Sequence, residues 1–439
     1  MPASASSEAA VWDPVETGPR EALRELQLER LRATVERSLE GQPPFAARFA
    51  EAGITDAREI ASLGDLARLP FSRKSDLREN YPFGLLAVPR DQVVRVHASS
   101  GSHGKPTVVG YTRADLEVWI EVMARCMTMA GVRPGMVVHN ANGYGLFTGG
   151  LGFHYGGERI GATVIPVSGG FTARQAMLLS DLGGEALCAT PSYALVIAQA
   201  IREASIDPAD LPLELGLLGG EPWTEEMRDQ LDRELAMDAV NFYGLSEMCG
   251  PGVAAECRVA RHGLHVQEDH FLVEVLDHET GDAVPEGADG ELVFTTLTKE
   301  AQPLIRYRTG DIGSVTSEPC ECGRTMTRIA ALRGRLDDML IIRGVNLFPS
   351  TIETLLLGVE EVGPHYRLIV ERPAEMDEVS VECEPADVEI DRAALTERLE
   401  LLLRDHTGIR IDVSVVQPGT IPRSEGKAVR VVDRRQTGR

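Results

Sequence analysis

The chain has 439 residues, 43% of them hydrophobic and 25% charged, with a formal charge of −23. That length exceeds one ordinary core and sets two domains as the starting expectation. The acidic balance argues against nucleic acid and anionic membrane faces as partners, although a local cluster of donors can still hold a nucleotide.

Seven cysteines, no apolar run of membrane length and no signal-peptide pattern point to a reducing cytoplasm. Of 44 basic residues only Lys74, Lys105, Lys299 and Lys427 are lysines. Two of the four, Lys105 and Lys427, fall in the motifs below, which suggests that those two positions need a compact ammonium rather than a planar fork.

Residues 1–20, rich in Ala, Ser, Glu and Pro, read as a flexible N-terminal extension without structure. Leu23, Leu26, Leu31 and Val35 then recur at helical spacing, with Gly41 as a stop. Residues 93–107 run from an apolar lead (Val93, Val94, Val96) into Ser99-Ser-Gly-Ser-His-Gly-Lys105. Close-approaching glycines, hydroxyls and one ammonium make this a phosphate cradle. It lacks the Walker spacing, and Pro106 stands where that loop needs Ser or Thr. Thr112 with Asp115 forms a capping box for a helix that ends by Gly131.

Short apolar runs follow at Met136–His139, Ala162–Val167, Ala186–Ala189, Leu213–Leu218 and Ala239–Phe242, separated by amphipathic stretches. This βαβα rhythm predicts an α/β fold with a largely parallel sheet. Ligands of such sheets lie beyond the carboxyl ends of the strands. Ser168-Gly-Gly170, Thr190-Pro-Ser192, Gly219-Gly-Glu221 and Tyr243-Gly-Leu-Ser246 would line that rim. Residues 265–297 change to antiparallel hairpin material, making a β-rich subdomain. The boundary is expected at Asp337, followed by a small α+β domain over 337–439 with helices near 349–358 and 391–406.

Ser99–Thr107, Asn241–Glu247, Tyr307–Asp311, Gly334–Asp338 and Ser424–Lys427, in this order, resemble the adenylate-forming superfamily of acyl-CoA synthetases. Gly143–Gly152 and Asp269–Phe271 are similar to its phenylacetate–CoA ligase branch. The resemblance implies an adenylate-forming fold: a large domain over 21–336 and a small mobile one carrying the catalytic lysine. It also implies ATP-dependent activation of an aryl acid to acyl-AMP, then transfer to coenzyme A. The alternative is loading of an aryl acid onto a carrier-protein thiol. Relatives are commonly dimers, so a homodimer is a candidate assembly.

By the same resemblance Lys427, Glu247 and Lys105 are catalytic, with Glu247 holding Mg2+. Ser99, Ser100, Gly101, Ser102, Gly104, Gly220, Glu221, Pro222, Asn241, Phe242, Tyr243, Gly244, Ser246, Asp311 and Arg335 would bind the nucleotide. Tyr243 and Phe242 are expected at the adenine, Asp311 at the ribose. Asp337 matches the hinge, and Arg343–Asn346 would face the thiol tunnel. His103 departs from the family loop, where threonine is common.

Tyr144, Phe147, Phe153, Tyr155 and Phe171 interleave with glycines, which suits a cavity for a flat ring. Tyr144, Phe147, Gly149, Gly219 and Gly244 are the substrate-binding candidates, with core packing the alternative for Phe153 and Tyr155. Cys257, His265, Cys320 and Cys322 make a candidate tetrahedral Zn2+ set. His265 is preferred to His262 because it abuts a strand, and buried reduced cysteines remain the other reading.

Overall fold

The computed structural model describes residues 10–99, 106–336, 338–342, 345–372, 377–424 and 426–435. Ser100, Gly101, Ser102, His103, Gly104, Lys105, Asp337, Arg343 and Gly344 lie outside the described residues, as does the side chain of Asn346.

The strands β1 (Arg95–Ser99) and β2 (Thr107–Tyr111) form an antiparallel pair with Ser99 opposite Thr107. The main sheet uses β3 (Val137–Asn140), β4 (Thr163–Ile165), β5 (Ala186–Ala189), β6 (Leu215–Gly219), β7 (Asp238–Leu245), β8 (Gly250–Ala255) and β9 (Leu264–Val266). It continues through β10 (Phe271–Leu276), β11 (Gly290–Thr296), β12 (Tyr307–Thr316) and β13 (Arg328–Arg335). The order among the described residues is β10-β11-β12-β13-β9-β8-β7-β6-β5-β3-β4.

From β4 to β7 every pairing is parallel; from β7 to β10 every pairing is antiparallel. The expected largely parallel sheet is therefore half of a continuous mixed one. Strand β8 hides in the sequence because Gly250-Pro-Gly252 reads as a turn. The parallel strands are buried on both faces, which is why Ala186–Ala189 and Leu215–Leu218 show no polar alternation.

The helix Arg113–Met129 starts at the Thr112/Asp115 capping box, and the helix Pro191–Glu203 is capped by Thr190. The first packs against β8, and the second shares a core with Leu187 and Leu218 of the parallel strands. No described helix is long and apolar enough to cross a membrane.

Residues 10–19 depart from the loose extension the composition suggested. Asp13 caps a short turn, Pro14–Thr17, and the carboxylate of Glu16 meets Arg324 at 2.6 Å with both side chains wholly buried. Composition misses this because the partner lies some 300 residues away.

The C-terminal part has β14 (Leu340–Ile342), β15 (Val345–Leu347), β16 (Val362–Glu371), β17 (Glu378–Pro385), β18 (Asp412–Val415) and β19 (Val431–Asp433). Its four-stranded sheet runs β18-β17-β16-β19, with helices Pro349–Leu357 and Arg392–Thr407. Its core draws on Leu340, Leu368, Val381 and Leu399, separate from the cores around the large sheet.

Candidate active site

The carboxyl ends of β5, β6 and β7 make one rim, where two glycines let backbones touch. A Cβ on Gly219 would lie 2.1 Å from the Phe242 carbonyl oxygen, and one on Gly244 would lie 1.6 Å from that of Gly250. Any side chain there would push β6 from β7, or open the β7–β8 turn that carries Ser246 and Glu247. Asn241 anchors the strand below, its backbone N–H donating to Glu256 at 2.8 Å.

Strand alternation separates the two aromatics expected at the adenine. Tyr243 turns toward β12, where its hydroxyl donates to Asp311 at 2.6 Å. Phe242 instead packs edge-on against Phe153, ring centroids 5.1 Å apart, and is buried. Phe242 is thus a core residue, and so is Phe153.

Asp311 faces Arg335 across the β12–β13 ladder, and Arg335 donates to it at 2.9 Å. Burial and the Asp311 charge hold the Tyr243 phenol far above its usual range, so it remains a donor.

Glu247 is buried, and Ser99 Oγ donates to it at 3.4 Å. Three side chains fix its turn. Tyr111 donates to the Ser246 carbonyl at 2.7 Å, Thr148 Oγ1 and Ser246 Oγ lie 3.3 Å apart, and Lys299 Nζ donates to the Met248 carbonyl at 2.7 Å. Lys299 was visible in the sequence only as a rare lysine. It lies buried over the Tyr111 ring at 3.6 Å, and burial lowers its pKa. A carboxylate with a hydroxyl beside it suits a hard cation that keeps other positions for phosphate and water.

The Lys427 loop docks on the same rim. Thr190 Oγ1 donates to the Gly426 carbonyl at 3.0 Å, and Ala428 N–H donates to Glu221 at 2.8 Å. Glu221 also accepts Ser192 N–H at 2.7 Å, so one carboxylate ties the loop to the rim. Gly220, at φ +87°, leaves room there: a Cβ would lie 3.6 Å from Lys427 Cε. Pro222 is exposed beyond it. Lys427 sits exposed at the rim. Its pKa lies below the usual lysine value, first from lost hydration; Arg335 lowers it further, against Glu221, Asp311 and Glu247. That ammonium therefore feels every carboxylate of the rim.

Around the candidate ring pocket, Asn140 donates to Tyr144 Oη at 2.8 Å and to the Gly150 carbonyl at 2.7 Å. Gly149 opens the helix Gly149–Ile160, and the loop before it is tied to β1 by Ala98 N–H on the Leu146 carbonyl at 3.0 Å. Tyr155 lies under Arg95, 5.0 Å from ring centre to guanidinium. Phe147 and Phe171 are 53% and 74% exposed, so they do not wall a closed ring cavity in this arrangement. Apart from these rings, Cys257, His265, Cys320 and Cys322 bring their ligand atoms within 4.8 Å of one another. His262 is not in that group.

Fold and rim together define an α/β protein whose C-terminal lysine loop is docked on the strand-end rim. Two family models match: an AMP-binding enzyme over residues 48–297 and an AMP-binding enzyme C-terminal domain over 344–435. A phenylacetate–coenzyme A ligase of Thermus thermophilus is 51% identical over 96% of this chain and 99% of its own length. One from Escherichia coli is 46% identical over 96% and 97%. The crystal structure of a 2-hydroxyisobutyryl-CoA ligase in the postadenylation state, with R3-HIB-AMP, superposes with TM-score 0.91 at 30% identity, covering 98% of this chain and 93% of that one. The same ligase in its thioesterification state, with 2-HIB-AMP and CoA, gives 0.72, covering 96% and 92%. The chain belongs to the phenylacetate–CoA ligase family of AMP-binding enzymes, which are AMP-forming acid–thiol ligases.

Proposed function

We propose that the protein activates an aryl carboxylic acid of the phenylacetate type with ATP and passes the acyl group to coenzyme A. In the first step a carboxylate oxygen attacks the α-phosphorus and pyrophosphate leaves. In the second the coenzyme A thiolate attacks the acyl carbonyl and AMP leaves. The observation that carries this reading is the docking of the Gly426–Ala428 backbone on Thr190 and Glu221, which brings Lys427 over the rim.

Lys427 offsets charge that builds on the α-phosphate oxygens during attack, an effect of about 3–4 kcal/mol for a well-aimed group. Asp311, held by Tyr243 and Arg335, has lone pairs for ribose hydroxyls. Ser99, at the mouth of the loop, and the Ser246 turn receive the phosphates, with Ser100, Gly101, Ser102, Gly104 and Lys105 assigned to the same cradle. Of the two metals the sequence suggests, only Mg2+ enters this chemistry. Held at Glu247, it would neutralise phosphate charge.

The second half-reaction needs Lys427 withdrawn, and a hinge at Asp337 would supply the rotation. The closer match to the postadenylation form of the related ligase supports a chain poised in the first arrangement.

An acid panel read by pyrophosphate release tests the activation step, with phenylacetate expected among the good substrates. Release of AMP that depends on coenzyme A tests the transfer step. Stalling at the adenylate until a carrier protein is added would transfer the assignment to the carrier-loading alternative.

A further inference from the structure

The long sheet has a weak seam. Strand β9 has three residues, and it joins β13 by only two facing pairs, His265 with Arg328 and Leu264 with Ile329. On one side lie β4 to β9 with Tyr243 and Glu247; on the other lie β10 to β13 with Asp311 and Arg335. The Tyr243–Asp311 hydrogen bond crosses this seam.

Four buried side chains converge there. Cys257 follows β8 and His265 lies in β9, while Cys320 and Cys322 come from the loop between β12 and β13. We propose that Cys257, His265, Cys320 and Cys322 bind one structural zinc ion that staples the two halves of the sheet across this seam.

The ligand spacings fit a tetrahedral set. Bonds of about 2.3 Å to sulfur and about 2.05 Å to nitrogen give tetrahedral edges of roughly 3.8 Å between sulfurs and roughly 3.5 Å from sulfur to nitrogen. Cys257 Sγ lies 3.8 Å from Cys320 Sγ, and Cys322 Sγ lies 3.5 Å from His265 Nε2. The first distance is far beyond a disulfide bond.

Local backbone supports both thiol turns. Ala260 N–H points at Cys257 Sγ from 3.4 Å, a donor that suits a thiolate. Gly323, at φ +82°, closes Cys320–Gly323 with a 2.9 Å hydrogen bond to the Cys320 carbonyl. His265 Nδ1 has no partner, so its ring is oriented from the Nε2 side. Three sulfurs and one imidazole leave no open coordination position, which makes the ion structural rather than catalytic.

Metal analysis of the full-length protein, purified without chelator or added metal, should find one zinc per chain. Less than a tenth of an equivalent, or one equivalent of iron instead, overturns the assignment. Cysteine variants can simply misfold, so ligand identity is read by cobalt substitution of the intact protein. Thiolate-to-cobalt charge-transfer bands with strong tetrahedral d–d absorption are expected; weak octahedral bands alone would count against the set. His265→Cys should keep the metal and alter those bands, whereas His262→Ala should leave metal content and spectrum unchanged.

The staple itself is tested by stripping zinc with a chelator and comparing KM values. KM for ATP should rise several-fold and recover when zinc is restored. An unchanged KM for ATP in metal-free protein would overturn the staple. Metal content and spectra do not depend on the acid–thiol chemistry, so either assignment can fail without the other.

Discussion

The carboxylate of Glu221 accepts two backbone N–H groups at once, Ser192 at 2.7 Å and Ala428 at 2.8 Å. The first belongs to the rim beyond β5 and the second to the residue after Lys427. Glu221 thus clamps the lysine loop to the large sheet, the arrangement proposed for adenylation. A charged hydrogen bond of this kind is worth about 1.5–3 kcal/mol. Glu221→Ala should lower acid-dependent ATP–pyrophosphate exchange on the order of tenfold. Thioester formation from supplied acyl-AMP should hold within about twofold, because that step does not use the docked loop. A variant equally slow in both would show that Glu221 serves the fold instead.

Lys427 makes a sharper version of the same division. Replacing it with alanine removes the ammonium proposed to meet the α-phosphate. Lys427→Ala should cut adenylate formation by about 10²–10³-fold. Release of AMP from supplied acyl-AMP and coenzyme A should be largely spared. Equal loss of both half-reactions would contradict the role assigned to this ammonium. Stopped assays of each half-reaction, run on the same preparation, give the comparison.

These two residues also mark what a sequence can and cannot carry. Lys427 stood out because the chain otherwise uses arginine, and its Gly426 neighbour announced a tight loop. The parallel strands were legible for a similar reason: continuous burial leaves uninterrupted apolar runs such as Leu215–Leu218. Glu221 was expected at the nucleotide because it follows a strand end, yet only the structure shows that its two oxygens accept the backbone N–H groups of Ser192 and Ala428. Phe242 and Tyr243 are neighbours in sequence and opposites in space, which a motif does not encode. Glu16 was silent, and Lys299 showed only as a rare lysine, because the partners that bury them, Arg324 and the Met248 carbonyl, lie far away along the chain.

Three histidines set an acid limit on stability. Burial lowers the pKa of His97 and of His139 below the usual value. His365 falls to about 4, through burial and then the nearby arginines Arg423, Arg430 and Arg202, against Glu384. The unfolded chain takes up these protons near pH 6.5, while the native chain resists them until lower pH. The stability they confer is therefore present above pH about 6.5 and is lost as pH falls toward about 4. Thermal midpoints measured across this interval should drop steadily with acidification. His365→Asn should flatten the lower part of that curve; an unchanged slope would remove His365 from the account.

The N-terminal strap offers the last test. Glu16 and Arg324 pair at 2.6 Å with neither side chain exposed, and Thr325 N–H donates to the Glu16 carbonyl at 3.0 Å. Asp13 approaches Arg125 at 3.4 Å, and Arg125 also holds Asp269 at 2.7 Å. The strap therefore neutralises two arginines that would otherwise be buried with fewer partners. Removing one member of such a buried pair costs about 3–5 kcal/mol, since the partner charge is left without compensation. Glu16→Gln keeps the shape and removes the charge, so it should lower the unfolding free energy by an amount in that range. Arg324→Met in the same background should recover part of the loss, because the guanidinium that lost its carboxylate is then gone. Chemical denaturation of the two single variants and the double variant measures both effects. A double variant no more stable than Glu16→Gln would mean that packing, rather than the isolated guanidinium, set the cost.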